Sequence, residues 1–139
     1  MAALQLPEAI YYRLSTYAGL TALVSTRTYP AIAPQKAALP YVTYFQVSRV
    51  HAHAAGADAA TYMARMQVDS WADDYLESHN IAKQVRLALQ DFMGNMAGAG
   101  DTFAVQRIFF DGRGDMTEMD EETNVLTYRV SQDFLVWHY

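Results

Sequence analysis

The chain has 139 residues, 52% hydrophobic and 18% charged, which is the balance of a folded protein and not of a disordered one. Its net charge of −5 and pI near 5.2 disfavour a general nucleic-acid binder, which needs a basic surface to displace counterions. The absence of cysteine excludes a disulfide framework and thiolate chemistry, and no run approaches the ~20 apolar residues of a membrane span.

The length fits one domain over 1–139 with a sizeable core. The opening MAALQLPEA lacks the basic start and the apolar run of a signal peptide. Leu4 to Tyr17 reads as an amphipathic helix, with Leu6, Ile10, Leu14 and Tyr17 forming one stripe and Pro7 at an early helical position. Gly19 interrupts, and Leu20, Ala22, Leu23 and Val24 suggest a second short helical turn. Thr26 to Tyr29 fits a short strand. Pro30, Pro34 and Pro40 then punctuate an irregular segment.

Leu39 to Trp71 carries the strongest strand pattern. LPYVTYFQVSRV places Tyr41, Thr43, Phe45 and Val47 on one face and Val42, Tyr44, Gln46 and Ser48 on the other. TYMARMQVDSWAD sets Tyr62, Ala64, Met66 and Val68 against Met63, Arg65, Gln67 and Asp69. The small, polar run HAHAAGADAA between them predicts a loop. The result is a long antiparallel hairpin with one side on a core and the other partly on something else.

Asp73 to Phe92 predicts the second main helix. Asp73 or Asp74 can cap it, and Glu77 follows Asp74 at capping-box spacing. Ile81, Val85, Ala88, Leu89 and Phe92 form its buried stripe, and the acidic start and basic end suit the helix dipole. Gly94 and Asn95 offer a left-handed stop, and MGNMAGAGD reads as a flexible connector. Thr102 to Phe110 is a third strand, Asp111 to Glu122 a polar loop, and Thr123 to His138 a fourth strand. In that last strand Gln132 breaks an apolar face of Leu126, Tyr128, Val130, Phe134 and Val136, as a bulge or an edge would. The order implies an α+β fold: an antiparallel sheet of two long hairpins with two main helices packed on one face.

Reactive motifs are absent. There is no G-x-S-x-G, Walker loop or G-x-G-x-x-G, and GRGD at 112–115 lacks the Lys-Ser of a phosphate cradle. His51 and His53 form an H-x-H pair that can take up zinc or nickel adventitiously. With only Asp58 as a nearby third ligand, solvated loop histidines are the expected reading. The acidic stretch DGRGDMTEMDEE lacks the order of an EF-hand loop and reads first as a solvated hairpin tip. The sharper alternative is an acidic surface offered to a partner, or to a passage through which DNA slides without sticking. Asp69 is a lone carboxylate, and the Trp71 indole is expected to pack under the second helix. The ten tyrosines suit half-buried sheet faces and protein interfaces equally.

The order of features resembles the tail completion, or tail terminator, proteins of long non-contractile (siphovirus-type) phage tails. The resemblance rests on Leu20–Val24, the Tyr-Pro at 29–30, LPYVTY at 39–44, MQVDSWAD at 66–73, IAKQVRLAL at 81–89 and YRVSQDFLVW at 128–137; HAHAAGADAA departs from it. It implies a non-enzymatic structural virion protein without a cofactor or a membrane partner. Such a protein assembles in the host cytoplasm as a homo-oligomeric, hexameric ring on the head-proximal end of the tail tube. There it terminates tail polymerisation and joins the head connector, touching the major tail tube protein on one side and the connector or stopper protein on the other. The genome passes through its lumen without specific binding. An alternative is another head–tail connector, stopper or minor tail tube protein. A third reading, a metal- or ligand-binding α+β domain, predicts a stabilisation of ~2.7 kcal/mol by calcium or magnesium at a hundred times its dissociation constant.

A closed ring needs heterologous contacts, and exposed sheet edges and Tyr-rich strand faces can supply them. The candidate ring-interface residues are Tyr44, Met63, Trp71 and Arg129, with Thr127 beside them. The candidate axial contacts are the two hairpin tips, represented by His51, His53 and Asp58, and by Asp115, Glu118, Asp120, Glu121 and Glu122.

Overall fold

In the computed structural model the two hairpins form as the alternation requires, β2 (Tyr41–Ala54) with β3 (Ala57–Ala72) and β5 (Ala104–Met119) with β6 (Leu126–His138). The structure describes residues 5–54, 57–97, 101–119 and 126–139, those at 52–54 and 57–60 by their backbone only. The short strands β1 (Thr28–Pro30) and β4 (Gly94–Asn95) lie outermost, giving the order β1-β2-β3-β6-β5-β4. Every neighbouring pair is antiparallel except β1 with β2, which is parallel. Helices α1 (Leu6–Thr16), α2 (Ala18–Val24) and α3 (Tyr75–Leu89) complete the α+β fold.

Period two sorts the sheet. Val42 and Tyr44 of β2, Ala64, Met66, Val68 and Ala72 of β3, and Val130, Phe134 and Val136 of β6 are buried. Nearly all of them join one cluster with Leu6, Ile10 and Leu14 of α1 and Ile81, Val85 and Leu89 of α3. The helical stripes recur every three to four residues and so meet that face as continuous ridges. Arg13 ties the helices together: its Nε donates to the Ala88 carbonyl (2.8 Å) in the last turn of α3, and its guanidinium lies 4.8 Å from the Phe92 ring centre. A cation at that end also complements the α3 dipole.

Several boundaries differ from the sequence reading. The break between α1 and α2 is at Tyr17, which is extended; Gly19 lies inside α2, where an added Cβ would strike Gln84 of α3. α3 is capped as expected, with the Asp74 carboxylate accepting from the Glu77 N–H (3.1 Å). It stops at Leu89, however. Asp91 takes the left-handed conformation (φ 64°), and its N–H donates to the Ile108 carbonyl (2.9 Å), pinning the chain to β5. Gly94 and Asn95 therefore do not end the helix. They pair with Val105 and Ala104 as β4, inside what the sequence presents as a flexible connector.

Two expected loops are strand. The run continues the hairpin at 51–54 and 57–60, with His53 opposite Asp58 and Ala54 opposite Ala57, and 55–56 lie outside the described residues. The charged run from Asp111 continues β5 as far as Met119, opposite Leu126. Main-chain pairing with a long partner overrides weak local propensity at both places. Gln132 marks neither an edge nor a bulge: β6 is central, and Gln132 is buried opposite Val68 and Arg113. The register slips instead at Val47 in β2, again between Ala52 and His53 opposite β3, and at Gln106 and Asp111 in β5.

Phe134 is fully buried at the centre of this packing, edge-on to Phe110 at 5.6 Å. Phe134→Ala is expected to cost about 3–5 kcal/mol of unfolding free energy. Removing the α3 cap with Asp74→Ala is expected to cost about 1 kcal/mol. Urea denaturation followed by circular dichroism measures both; equal losses would contradict the placement of Phe134.

Candidate interaction surfaces

The face opposite the helices is partly open, with Thr43 and Asp69 buried on it and its other residues exposed or half-buried, and two ordered rows run across it. In the first, Tyr41, Trp71, Arg129 and Met116 stand opposite one another across β2, β3, β6 and β5. The Tyr41 and Trp71 rings stack at 5.8 Å, and the Tyr29 ring of β1 meets Tyr41 edge-on at 5.9 Å. The Arg129 guanidinium lies 5.0 Å from the Trp71 ring centre, donates to the Met116 sulfur and lies 3.7 Å from Glu118. Trp71 Nε1 donates to Thr43 Oγ1 (3.1 Å). A cavity of about 420 Å³ opens beside this row, closed at one end by residues 31–33. Burial, helped by the Glu118 carboxylate and Tyr29, pushes the Tyr41 phenol above its usual pKa. In the second row Arg65 of β3 donates to Asp111 of β5 (2.6 Å) and lies 3.7 Å from Asp133 of β6.

This geometry redistributes the sequence candidates. Trp71 and Arg129 come together on the open face; the indole does not pack under α3, because odd positions of β3 point away from the helices. Met63 is half-buried on the same face, opposite Val50 and Trp137. Thr127 is half-buried opposite Glu118. Tyr44 points the other way, only 4% exposed, with its ring 6.4 Å from Tyr11 of α1. It lines a second cavity, of about 590 Å³, between α1 and β1.

Asp115 and Glu118 stand within β5 and not at its tip, each held by a neighbour. Asp120, Glu121 and Glu122 lie outside the described residues, as do the side chains of His53 and Asp58. Sequence reasoning missed Tyr41, Arg65 and Asp111. The first two share the odd parity of Trp71 in their strands, whereas Asp111 depends on a bulge.

On the helix side, Arg113 donates to His79 Nδ1 (2.9 Å), and His79 Nε2 lies 3.2 Å from Asp115, an ion-pair distance without hydrogen-bond alignment. Further along the sheet, beyond the helices, His51, Tyr62, His138 and Phe103 stack in sequence at 4.7, 5.5 and 4.9 Å. His138 is 3% exposed. Burial pushes its pKa below the usual value, against the pull of the Tyr139 main-chain oxygen, and the Arg49 charge adds to the depression. Among the described residues no three His, Asp or Glu side chains converge in a way that could hold a metal ion. No helix among them is long and apolar enough to cross a membrane.

Long ribbons and an ordered, partly open face describe a building block for assembly, and membership of a tail completion family over residues 8–139 makes the chain a structural protein of phage tails. The chain belongs to the family described as tail completion protein gp17, whose sequence model matches residues 8–139. No curated protein sequence matches the chain. Among solved structures it is similar to a chain from the virion of a native gene transfer agent particle. The identity is 22% and the TM-score 0.68, over 96% of this chain and 93% of that one. That likeness establishes the fold.

The buried His138 gives a pH test. Its folded pKa is lowered, so the unfolded chain binds the proton first as pH falls. Stability is then full above the ordinary histidine value of about 6.5 and declines as pH drops from there towards the lower folded value. Thermal melts are expected to show this acid-side decline in the parent chain and a flatter profile in His138→Phe. Identical profiles would contradict a buried, depressed imidazole.

Proposed function

We propose that the chain acts as a single tail-terminator unit, forming a ring on the head-proximal end of the tail tube. The ring stops tube polymerisation and provides the surface to which the head connector binds. Six copies is the order that the family resemblance implies. The observation that carries this reading, beyond family membership, is the direction of the two ribbons. β3 and β6 are antiparallel, so the β2–β3 turn and the β5–β6 turn project from opposite ends of the sheet. A ring built on an axis along the strands has one set of tips for the tube and the other for the connector. No converged catalytic set is needed for this role, and the net negative charge of the chain suits a ring through which DNA passes without arrest.

Tails assembled without this protein are expected to be of uncontrolled length and to lack heads in negative-stain micrographs. Shortening the β5–β6 tip beyond Met119 is expected to leave the circular dichroism spectrum and melting unchanged while abolishing head–tail joining. Infectious particles from the shortened variant would remove the tip from the joining surface. Normal tails in the absence of the protein would overturn the ring reading itself.

A further inference from the structure

The sheet has two rims that are only partly closed. β1 covers β2 only at Val42 to Tyr44, and the Ala31 N–H takes the Tyr44 carbonyl (2.8 Å). From Phe45 to Val50 no described strand pairs with the outer edge of β2. On the other rim β4 covers β5 only at Ala104 and Val105, and the Asp91 N–H takes the Ile108 carbonyl (2.9 Å). From Phe109 to Met119 no described strand pairs with the outer edge of β5. Unpaired main-chain edges of this length are templates for another strand.

The two rims complement each other. β2 and β5 run in opposite directions, so two copies placed side by side, helices on the same side, bring one chain's β2 against the next chain's β5 in antiparallel sense. The β2 rim carries the exposed side chains Phe45 (37%), Val47 (47%) and Val50 (56%), and its only charge between 45 and 51 is Arg49. The β5 rim exposes Met116 and Met119 and carries Asp111, Asp115 and Glu118 against the single Arg113. Gly112 and Gly114 leave open space where a Cβ would stand, which permits close approach of a second backbone. Pairing β2 with β2 would set Arg49 near Arg49, and pairing β5 with β5 would oppose two acidic rims. The β2–β5 contact puts Arg49 and Asp115, both on the helix side, in one seam with opposite charges, and it is heterologous, as a ring demands.

The blocked ends also set a stagger. Through the register, Phe45 stands level with Gly112, so most of the free β2 edge lies above that level and most of the free β5 edge below it. The two edges engage over their length only if the neighbouring chain shifts along the strands. Closing a sheet into a cylinder requires that same shear.

We propose that neighbouring copies are joined by antiparallel main-chain pairing between the free β2 edge of one and the free β5 edge of the next, making the ring wall a continuous sheet. This rests on the ring reading above. The chain has no cysteine, so introduced ones report cleanly. Val50→Cys is combined in one chain with Gly114→Cys, Met116→Cys or Glu118→Cys, all on the open face. Each variant is added to purified tail tubes and treated with a short bis-maleimide. At least one pair is expected to give a ladder of covalent multimers, with Val50→Cys alone remaining monomeric. In parallel, amide exchange across 45–50 and 112–119 is expected to slow by about tenfold or more on ring formation.

Rings that form on the tubes without a ladder and without that protection would overturn the edge contact and leave the ring reading intact. Dimers from Val50→Cys alone would assign β2 to a symmetric contact and overturn it as well. If micrographs show no rings on the tubes, the ring reading fails and takes this proposal with it.

Discussion

The pairing of β3 with β6 is the constraint on which the rest depends. It runs from Tyr62 opposite His138 to Ala72 opposite Tyr128 without a slip, whereas both hairpins contain bulges. Its antiparallel sense points the two hairpin turns towards opposite ends of the sheet. Its register puts Ala64, Met66, Val68, Phe134 and Val136 on one face, as the floor for the helices. The same register puts Arg65, Trp71, Arg129 and Asp133 on the other. A slip of one residue would drive Arg65 and Asp133 into the apolar cluster, so the burial of that face enforces the register.

The bulges then decide which charges meet. The slip at Val47 sends Arg49 and His51 to the helix side, where Arg49 lies 4.7 Å from the Tyr62 ring centre and His51 stacks on it. The slip at Asp111 sends Arg113 and Asp115 to the helix side, to His79, and leaves Met116 and Glu118 on the open face, beside Arg129. Without that slip the acidic half of β5 would present the opposite alternation, and neither set would find its partner. The extra residue in each strand therefore sets the electrostatics of the sheet as well as its bend.

This explains how much the sequence reveals. The helices and the two apolar strand cores are legible because their periods persist over many residues: Leu6–Ile10–Leu14, Ile81–Val85–Leu89, and the even positions of β3 and β6, which stay mainly apolar despite Ser70 and Gln132. Strand ends were not. The stretches 51–54, 57–60 and 111–119 have little intrinsic strand preference and are held as strand by a partner that alternation within one segment does not reveal. The candidate surface was half legible. Trp71 and Arg129 were chosen as members of the second faces, and parity put them together. Tyr44 belonged to the other parity, and its neighbours Val42 and Tyr11 show why an aromatic there packs in the core. Asp115 and Glu118 read as tip residues in the sequence because a charged run beside glycines resembles a turn until its cross-strand partners are known.

The open face bears on how a ring of this protein would treat DNA. Its arginines are not available as bare cations. Arg65 is bonded to Asp111 and flanked by Asp133, Arg129 lies over Trp71 and near Glu118, and Arg107 lies 3.0 Å from Asp91. A guanidinium already neutralised by a carboxylate releases no counterion from a phosphate, and separating the pair to make that contact costs the bond it has. If this face turns inward, the passage is lined by compensated charge. If it turns outward, the same pairs become a surface that a protein partner must match charge for charge. In both orientations the internal pairing does one physical thing: it withholds the positive charge that would let a polyanion adhere.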